Sequence, residues 1–136
     1  MRWAPAVQVS DFNGDGKLDL AFCDSSQIGV MLGNGDGTFQ PPTFYTADST
    51  GSRQFAFAIG DINSDGKQDL LVSEYANSTN PQLAILLGNG DGTFQPPQMS
   101  SAIESELGIV VGDFNSDGLP DFIFQSDKGM NVFLQQ

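Results

Sequence analysis

The chain has 136 residues, 17 of them acidic and 5 basic, with no histidine and a formal net charge of −12. That length suits one domain with a core of its own, and 39% apolar against 16% charged residues excludes a disordered polyelectrolyte. The acid excess argues against nucleic acid and anionic membrane surfaces, which select clustered Lys and Arg, while the missing histidine removes the commonest general base.

The lone Cys23 allows neither an internal disulfide nor a CxxC metal site and reads as a small buried hydrophobe. No apolar run approaches a membrane span, so membrane insertion is not expected. Met1-Arg2-Trp3 leads directly into domain-like sequence without a visible signal peptide.

In chain order, Ala6-Val-Gln-Val9 predicts a short strand, followed by the acidic stretch Asp11-Phe-Asn-Gly-Asp-Gly-Lys-Leu-Asp19. Leu20-Ala-Phe22 and Ile28-Gly-Val-Met-Leu32 predict two more strands, being short, apolar and bounded by turn-forming residues. Asn34-Gly-Asp-Gly37 supplies residues that tolerate positive φ and predicts a tight hairpin turn. Thr38-Phe39 then predicts the start of a fourth strand. Because Pro41-Pro42 cannot donate to a ladder, that strand is expected at the outer edge.

The same order recurs. The second unit runs from strand Phe55–Ile59 through Asp61-Ile-Asn-Ser-Asp-Gly-Lys-Gln-Asp69, strands Leu70–Val72 and Leu83–Leu87, turn Asn89–Gly92 and Thr93-Phe94. A third has strand Leu107–Val111, then Asp113-Phe-Asn-Ser-Asp-Gly-Leu-Pro-Asp121, then strands Phe122–Phe124 and Asn131–Leu134. The acidic stretches start 50 and 52 residues apart and hold nine of the 14 aspartates, so the acid belongs to the repeat and not to a tail.

Each unit reads as a four-stranded antiparallel meander, the blade of a β-propeller. A β-solenoid is the alternative, though its turns are usually shorter than this period. The expected architecture is all-β, with blades at 1–53 and 54–104 and an incomplete one at 105–136. So few blades fall short of the four to eight that close a ring. Either the chain belongs to a longer protein, or copies assemble. The expectation is a homo-oligomer, most simply a dimer closing six blades.

The acidic stretches carry the chemistry. Side-chain oxygens at positions 1, 3, 5 and 9 and a backbone carbonyl at position 7 can wrap one hard cation, and calcium accepts 6–8 such oxygens. The first loop offers Asp11, Asn13, Asp15, the Lys17 carbonyl and Asp19; the second Asp61, Asn63, Asp65, the Lys67 carbonyl and Asp69. The third offers Asp113, Asn115, Asp117, the Leu119 carbonyl and Asp121. Up to three Ca2+ per chain are therefore expected; without a cation, carboxylates so close would repel one another or titrate high. An EF-hand is excluded, because position 12 is Phe22, Val72 or Phe124 in place of Glu and the flanks are strands. Three matched copies argue against plain Asx turns without metal.

The alternation of DFNGDGKLDL with LGNGDGTFQPP resembles the FG-GAP and VCBS-type repeats of bacterial surface proteins, related to the integrin α-chain N-terminal propeller. The resemblance covers nearly the whole chain. It implies a β-propeller, commonly seven-bladed, in which the DxNxDGxxD loop joins the first two strands of a blade and holds calcium at the positions named above. It also implies a secreted or surface-displayed protein. The third loop departs from the others at Leu119-Pro120, which still leaves the Leu119 carbonyl free to ligate.

The functional expectation is a non-enzymatic, calcium-stabilised propeller module that assembles and binds glycan or protein ligands. Trp3, Tyr45 and Tyr75 are candidate sugar-stacking residues, and the polar excursions 48–53 and 74–82 are candidate binding loops. A purely structural repeat without a ligand is the alternative. A propeller-type carbohydrate-active enzyme is disfavoured, because Asp24, Asp48, Glu74, Glu104, Glu106 and Asp127 form no recognisable catalytic pair.

Overall fold

The computed structural model describes residues 7–24, 27–46, 53–75, 81–101, 106–126 and 129–135. The first sheet contains β1 (Val7–Ser10), β2 (Asp19–Asp24), β3 (Gln27–Met31) and β4 (Thr43–Thr46). The second contains β5 (Arg53–Gly60), β6 (Asp69–Tyr75), β7 (Pro81–Leu86) and β8 (Gln98–Ser101). The third contains β9 (Glu106–Gly112), β10 (Asp121–Ser126) and β11 (Gly129–Phe133). Within each sheet every strand pairs antiparallel with the next in sequence. The architecture is all-β and made of the meanders that form propeller blades. Among the described residues, no helix is long and apolar enough to cross a membrane.

The register aligns the units. Ser10 pairs with Asp19, Gly60 with Asp69 and Gly112 with Asp121, so each acidic loop closes the first two strands of its sheet at the same rung. The fourth strand begins later than the sequence predicts. Phe39 and Phe94 make only single bridges, to Gly33 and Gly88, and the ladder resumes beyond the proline pairs at Thr43 and Gln98. Proline lacks the N–H that continuous pairing needs, so the chain bends between bridge and strand. The edge position itself is as expected.

Two cores hold the sheets together. Ala21, Cys23, Ile28 and Val30 of the first sheet pack with Phe57, Leu70, Val72, Ala84 and Leu86 of the second, joined by Phe12 and Phe94. Ala56, Ala58, Leu71 and Leu83 on the opposite face pack with Ile109 and Phe124 of the third, joined by Ile62. Successive strand residues point to opposite faces. Leu70 and Val72 therefore enter one core and Leu71 the other, which explains why β6 reads as a continuous apolar run. The strands β1, β5 and β9 stand side by side, as the innermost strands of neighbouring blades do.

Trp3 and the stretches 47–52 and 76–80 lie outside the described residues, as do Glu104 and Asp127. Cys23 is buried in the first core, as its sequence context suggests.

The middle sheet carries both cores, and its truncation should be the costliest. Leu70→Ala is expected to cost about 2–5 kcal/mol, against about 0.5 kcal/mol or less for the exposed Val132→Ala. Urea denaturation of both variants checks the contrast.

Candidate functional site

Each acidic loop is built around its first aspartate. The Asp11 carboxylate accepts the backbone N–H groups of Gly14 (2.7 Å), Asp15 (3.1 Å) and Gly16 (2.8 Å). Asp61 accepts those of Asp65 (2.9 Å) and Gly66 (2.8 Å), and Asp113 those of Asp117 (3.1 Å) and Gly118 (2.9 Å). The chain thus curls about a carboxylate, an arrangement that successive amides favour. The curl needs positive φ at position 6, where Gly16, Gly66 and Gly118 lie at 80°, 84° and 86°. Position 4 is left-handed too, as Gly14 (73°) in one loop but as Ser64 (59°) and Ser116 (62°) in the others. Only the glycine of the first loop signals that demand in the sequence.

Positions 3 and 5 continue the pattern. The Asn13, Asn63 and Asn115 side-chain oxygens accept the amide of position 5 at 3.0, 3.1 and 3.0 Å. The Asp15, Asp65 and Asp117 carboxylates accept the amide of position 7 at 2.9, 3.0 and 2.8 Å. Pro120 leaves this bonding unchanged in the third loop. Lys17 and Lys67 add ion pairs to Asp15 and Asp65 at 3.2 and 3.3 Å, exposed contacts worth little by themselves. The Asp15 carboxyl is held below the usual range, first by the Lys17 amide and then by the Lys17 ammonium and the Asn13 amide. At Asp65 desolvation pulls upward, but the Lys67 amide, Asn63 and the Lys67 ammonium outweigh it, and the net shift is downward.

Position 9 has a different setting. Asp19, Asp69 and Asp121 are completely buried. One carboxylate oxygen of each accepts the amide of position 2 in its own loop: Phe12 (2.9 Å), Ile62 (2.9 Å) or Phe114 (2.8 Å). The other accepts an amide beyond the third strand: Gly33 (2.8 Å), Gly88 (2.7 Å) or Gln135 (2.9 Å). This clamp fastens the loop to the exit of the third strand. Asp69 is pushed above the ordinary carboxylate range, mainly by desolvation; the Gly88 and Ile62 amides oppose the shift and the charges of Asp65 and Asp61 add to it. Burial thus raises the titration of Asp69, whereas Asp15 and Asp65 are lowered by the hydrogen bonds around them.

The donor chemistry at positions 1, 3 and 5 fits a hard cation, being all oxygen on one curled loop. An ionised carboxylate offers about four acceptor sites, so each position 9 aspartate keeps acceptor capacity after its two amide bonds. Among the described residues, however, no three Asp, Glu, Cys or His side chains converge as a ready-made metal cluster. The loops are closed by their own amides.

The glycine-rich turns sit beside the loops. The Asn34 amide donates to the Thr38 carbonyl at 2.9 Å, and Asp36 accepts both the Thr38 hydroxyl (2.6 Å) and its amide (2.9 Å). Asn89, Asp91 and Thr93 repeat the same distances. The stem of Lys17 lies against Gly35, and that of Lys67 against Gly90. Tyr45, a candidate for sugar stacking, is instead part of the packing between units: its hydroxyl accepts the Phe94 amide (3.1 Å) and its ring meets that phenyl edge-on at 5.6 Å.

Repeated antiparallel meanders, each with a carboxylate-centred loop between its first two strands, define an all-β repeat protein of the propeller type. The chain belongs to the FG-GAP-like repeat family, whose model matches residues 11–72 and again 61–124. Each match runs from one acidic loop through the strand that follows the next. No curated protein matches the chain.

Replacing Asp69 by Ala strands two buried amides and should cost about 3 kcal/mol, whereas Asp65→Ala, at an exposed position, should cost much less in the presence of chelator. Chemical denaturation of the two variants separates clamp from loop. Acid should act on turn and clamp with opposite sign. Asp36 and Asp91 are held low, first by the hydroxyls and then by the amides of Thr38 and Thr93, so their stabilisation holds above the ordinary aspartate range and is lost as pH falls through the depressed values. Asp69 is raised, so its contribution is greatest at low pH and is lost as pH rises through its elevated value. In an NMR titration the Gly88 amide should therefore move at higher pH than the Thr93 amide.

Proposed function

We propose that this chain is a non-enzymatic calcium-binding repeat module in which the ion stabilises each blade, and that the blades belong to an assembling, extracellular scaffold. The observation that carries the reading is the three-fold recurrence of one loop geometry, with side-chain oxygens of positions 1, 3 and 5 gathered by backbone amides. Asp11, Asn13 and Asp15 would hold the ion in the first loop, Asp61, Asn63 and Asp65 in the second, and Asp113, Asn115 and Asp117 in the third. The carbonyls of Lys17, Lys67 and Leu119 complete each set, and Asp19, Asp69 and Asp121 contribute through their remaining acceptor sites.

Calcium supplies charge compensation and ties together a turn between two strands. Three ions would halve the formal charge of −12. A ligand bound only by the folded loop stabilises the fold by mass action. Sites of the extracellular class, with dissociation constants of roughly 10⁻⁴–10⁻³ M, fill only where calcium is abundant, which supports a location outside the cytosol. Assembly is supported by apolar side chains exposed on the first and third sheets, Val7, Val9, Met130 and Val132. A dimer closing six blades is the simplest form.

Chelation should lower the melting temperature of the full chain, and added calcium should restore it. Calorimetric titration should detect up to three ions, with Asp15→Ala removing one and leaving the other two. An unchanged melt together with no heat at millimolar calcium would remove the metal from this reading.

A further inference from the structure

The contact between the first two units has two halves, and each half recurs uncovered among the described residues, one on the first sheet and the other on the third. On the second unit the projecting half is the turn ending at Gly92 and the ring of Phe94. The Gly92 amide donates to the Phe12 carbonyl (3.2 Å), and the Phe94 ring meets Phe12 edge-on at 5.5 Å. A Cβ on Gly92 would stand 2.6 Å from a Leu32 methyl, so only glycine lets the turn seat this closely. On the first unit the receiving half is Phe12, Leu32 and the sheet face bearing Ile28 and Val30.

Repeat alignment then identifies what is unpartnered. The projecting half of the first unit is Gly37 and Phe39, the counterparts of Gly92 and Phe94. A Cβ on Gly37 would meet nothing within 4 Å, and Phe39 is 37% exposed where Phe94 is 7%. The receiving half of the third unit is Phe114, Leu134, Met130 and Val132, the counterparts of Phe12, Leu32, Ile28 and Val30. Phe114 is 47% exposed where Phe12 is 3%, and Met130 is 73% exposed where Ile28 is fully covered. The differences fall on the positions that the internal contact buries.

We propose that a second copy of this chain docks head-to-tail on the third sheet, seating its Gly37 turn and Phe39 on Phe114 and Leu134, and its β1 face over Met130 and Val132. The first sheet of this same sequence matches the receiving surface. That surface requires an apolar sheet face together with a left-handed glycine turn whose amide can reach the Phe114 carbonyl, and the first sheet of another copy carries both. The contact joins two different patches, so it is heterologous and yields either a closed ring or an open chain. The proposal rests on the assembly reading above and names the surface it would use.

Phe39→Glu disables the projecting half and Met130→Glu the receiving half; both side chains are exposed and lie outside the acidic loops. The mass of the full chain is measured by light scattering in calcium over a range of protein concentrations, with circular dichroism as the check on folding. The expected result is an assembled parent chain, loss of the assembled species in each single variant, and a two-chain species on mixing the variants, since the mixture retains one intact contact. A parent chain that stays monomeric overturns both assembly and the proposed surface. An assembled parent whose mass neither variant changes overturns the surface alone, and failure of the mixture to recover a two-chain species overturns the head-to-tail arrangement.

Discussion

The buried aspartate at the ninth position of each loop is the constraint on which the rest of the structure depends. A charged group without exposed surface is costly unless its lone pairs are used. Asp19, Asp69 and Asp121 each answer that cost with two backbone amides from segments 7 and 14 to 19 residues away in sequence. Those amides belong to the loop and to the end of the third strand, neither of which could otherwise satisfy them within the ladder. One side chain therefore sets where the loop leaves the sheet and where the following turn begins. An asparagine could accept only through one oxygen, so a carboxylate is the group that closes both connections at once.

That clamp also explains the asymmetry among carboxylates a few residues apart. At positions 1 and 5 the aspartates are exposed or nearly so, and the chain curls its amides toward them. At position 9 the carboxylate has no exposed surface, and desolvation, with the Asp65 and Asp61 charges adding to it, raises Asp69. The loop thus concentrates negative charge at its open side and anchors it from beneath. The position 9 carboxylate keeps the turn folded, while those at positions 1 and 5 order the amides of the loop itself.

Much of this fold was legible because the repeat supplies its own alignment. The triplet Leu70-Leu71-Val72 identifies a strand covered on both faces, and the three DxNxDGxxD stretches mark the first connection of every sheet. What could not be read depended on partners distant in sequence. Asp69 reads as one more ligand until Gly88 and Ile62 are found to be its donors. Tyr45 reads as a free aromatic until Phe94 is placed against it, 49 residues away. The fourth strand was legible only as an edge: Pro41-Pro42 announces where pairing stops, but nothing local says that it resumes at Thr43. Position 4 shows the same limit, since a serine in left-handed geometry leaves no compositional trace.

The burial of equivalent residues varies more than the residues do, and this has a consequence for how such a chain holds together. Ile28 is buried while Met130 is not, although both occupy the same place in the meander and both are apolar. The difference comes from the neighbour, because a sheet of this kind cannot cover both of its own faces. Stability is then shared between units through their contacts, as in other repeat arrays. The clamp and the amide curl make each loop locally self-sufficient, whereas the sheet faces are not. A sheet with one face uncovered can keep its loop geometry and still lack half its packing, so local order and cooperative stability are separable in each unit.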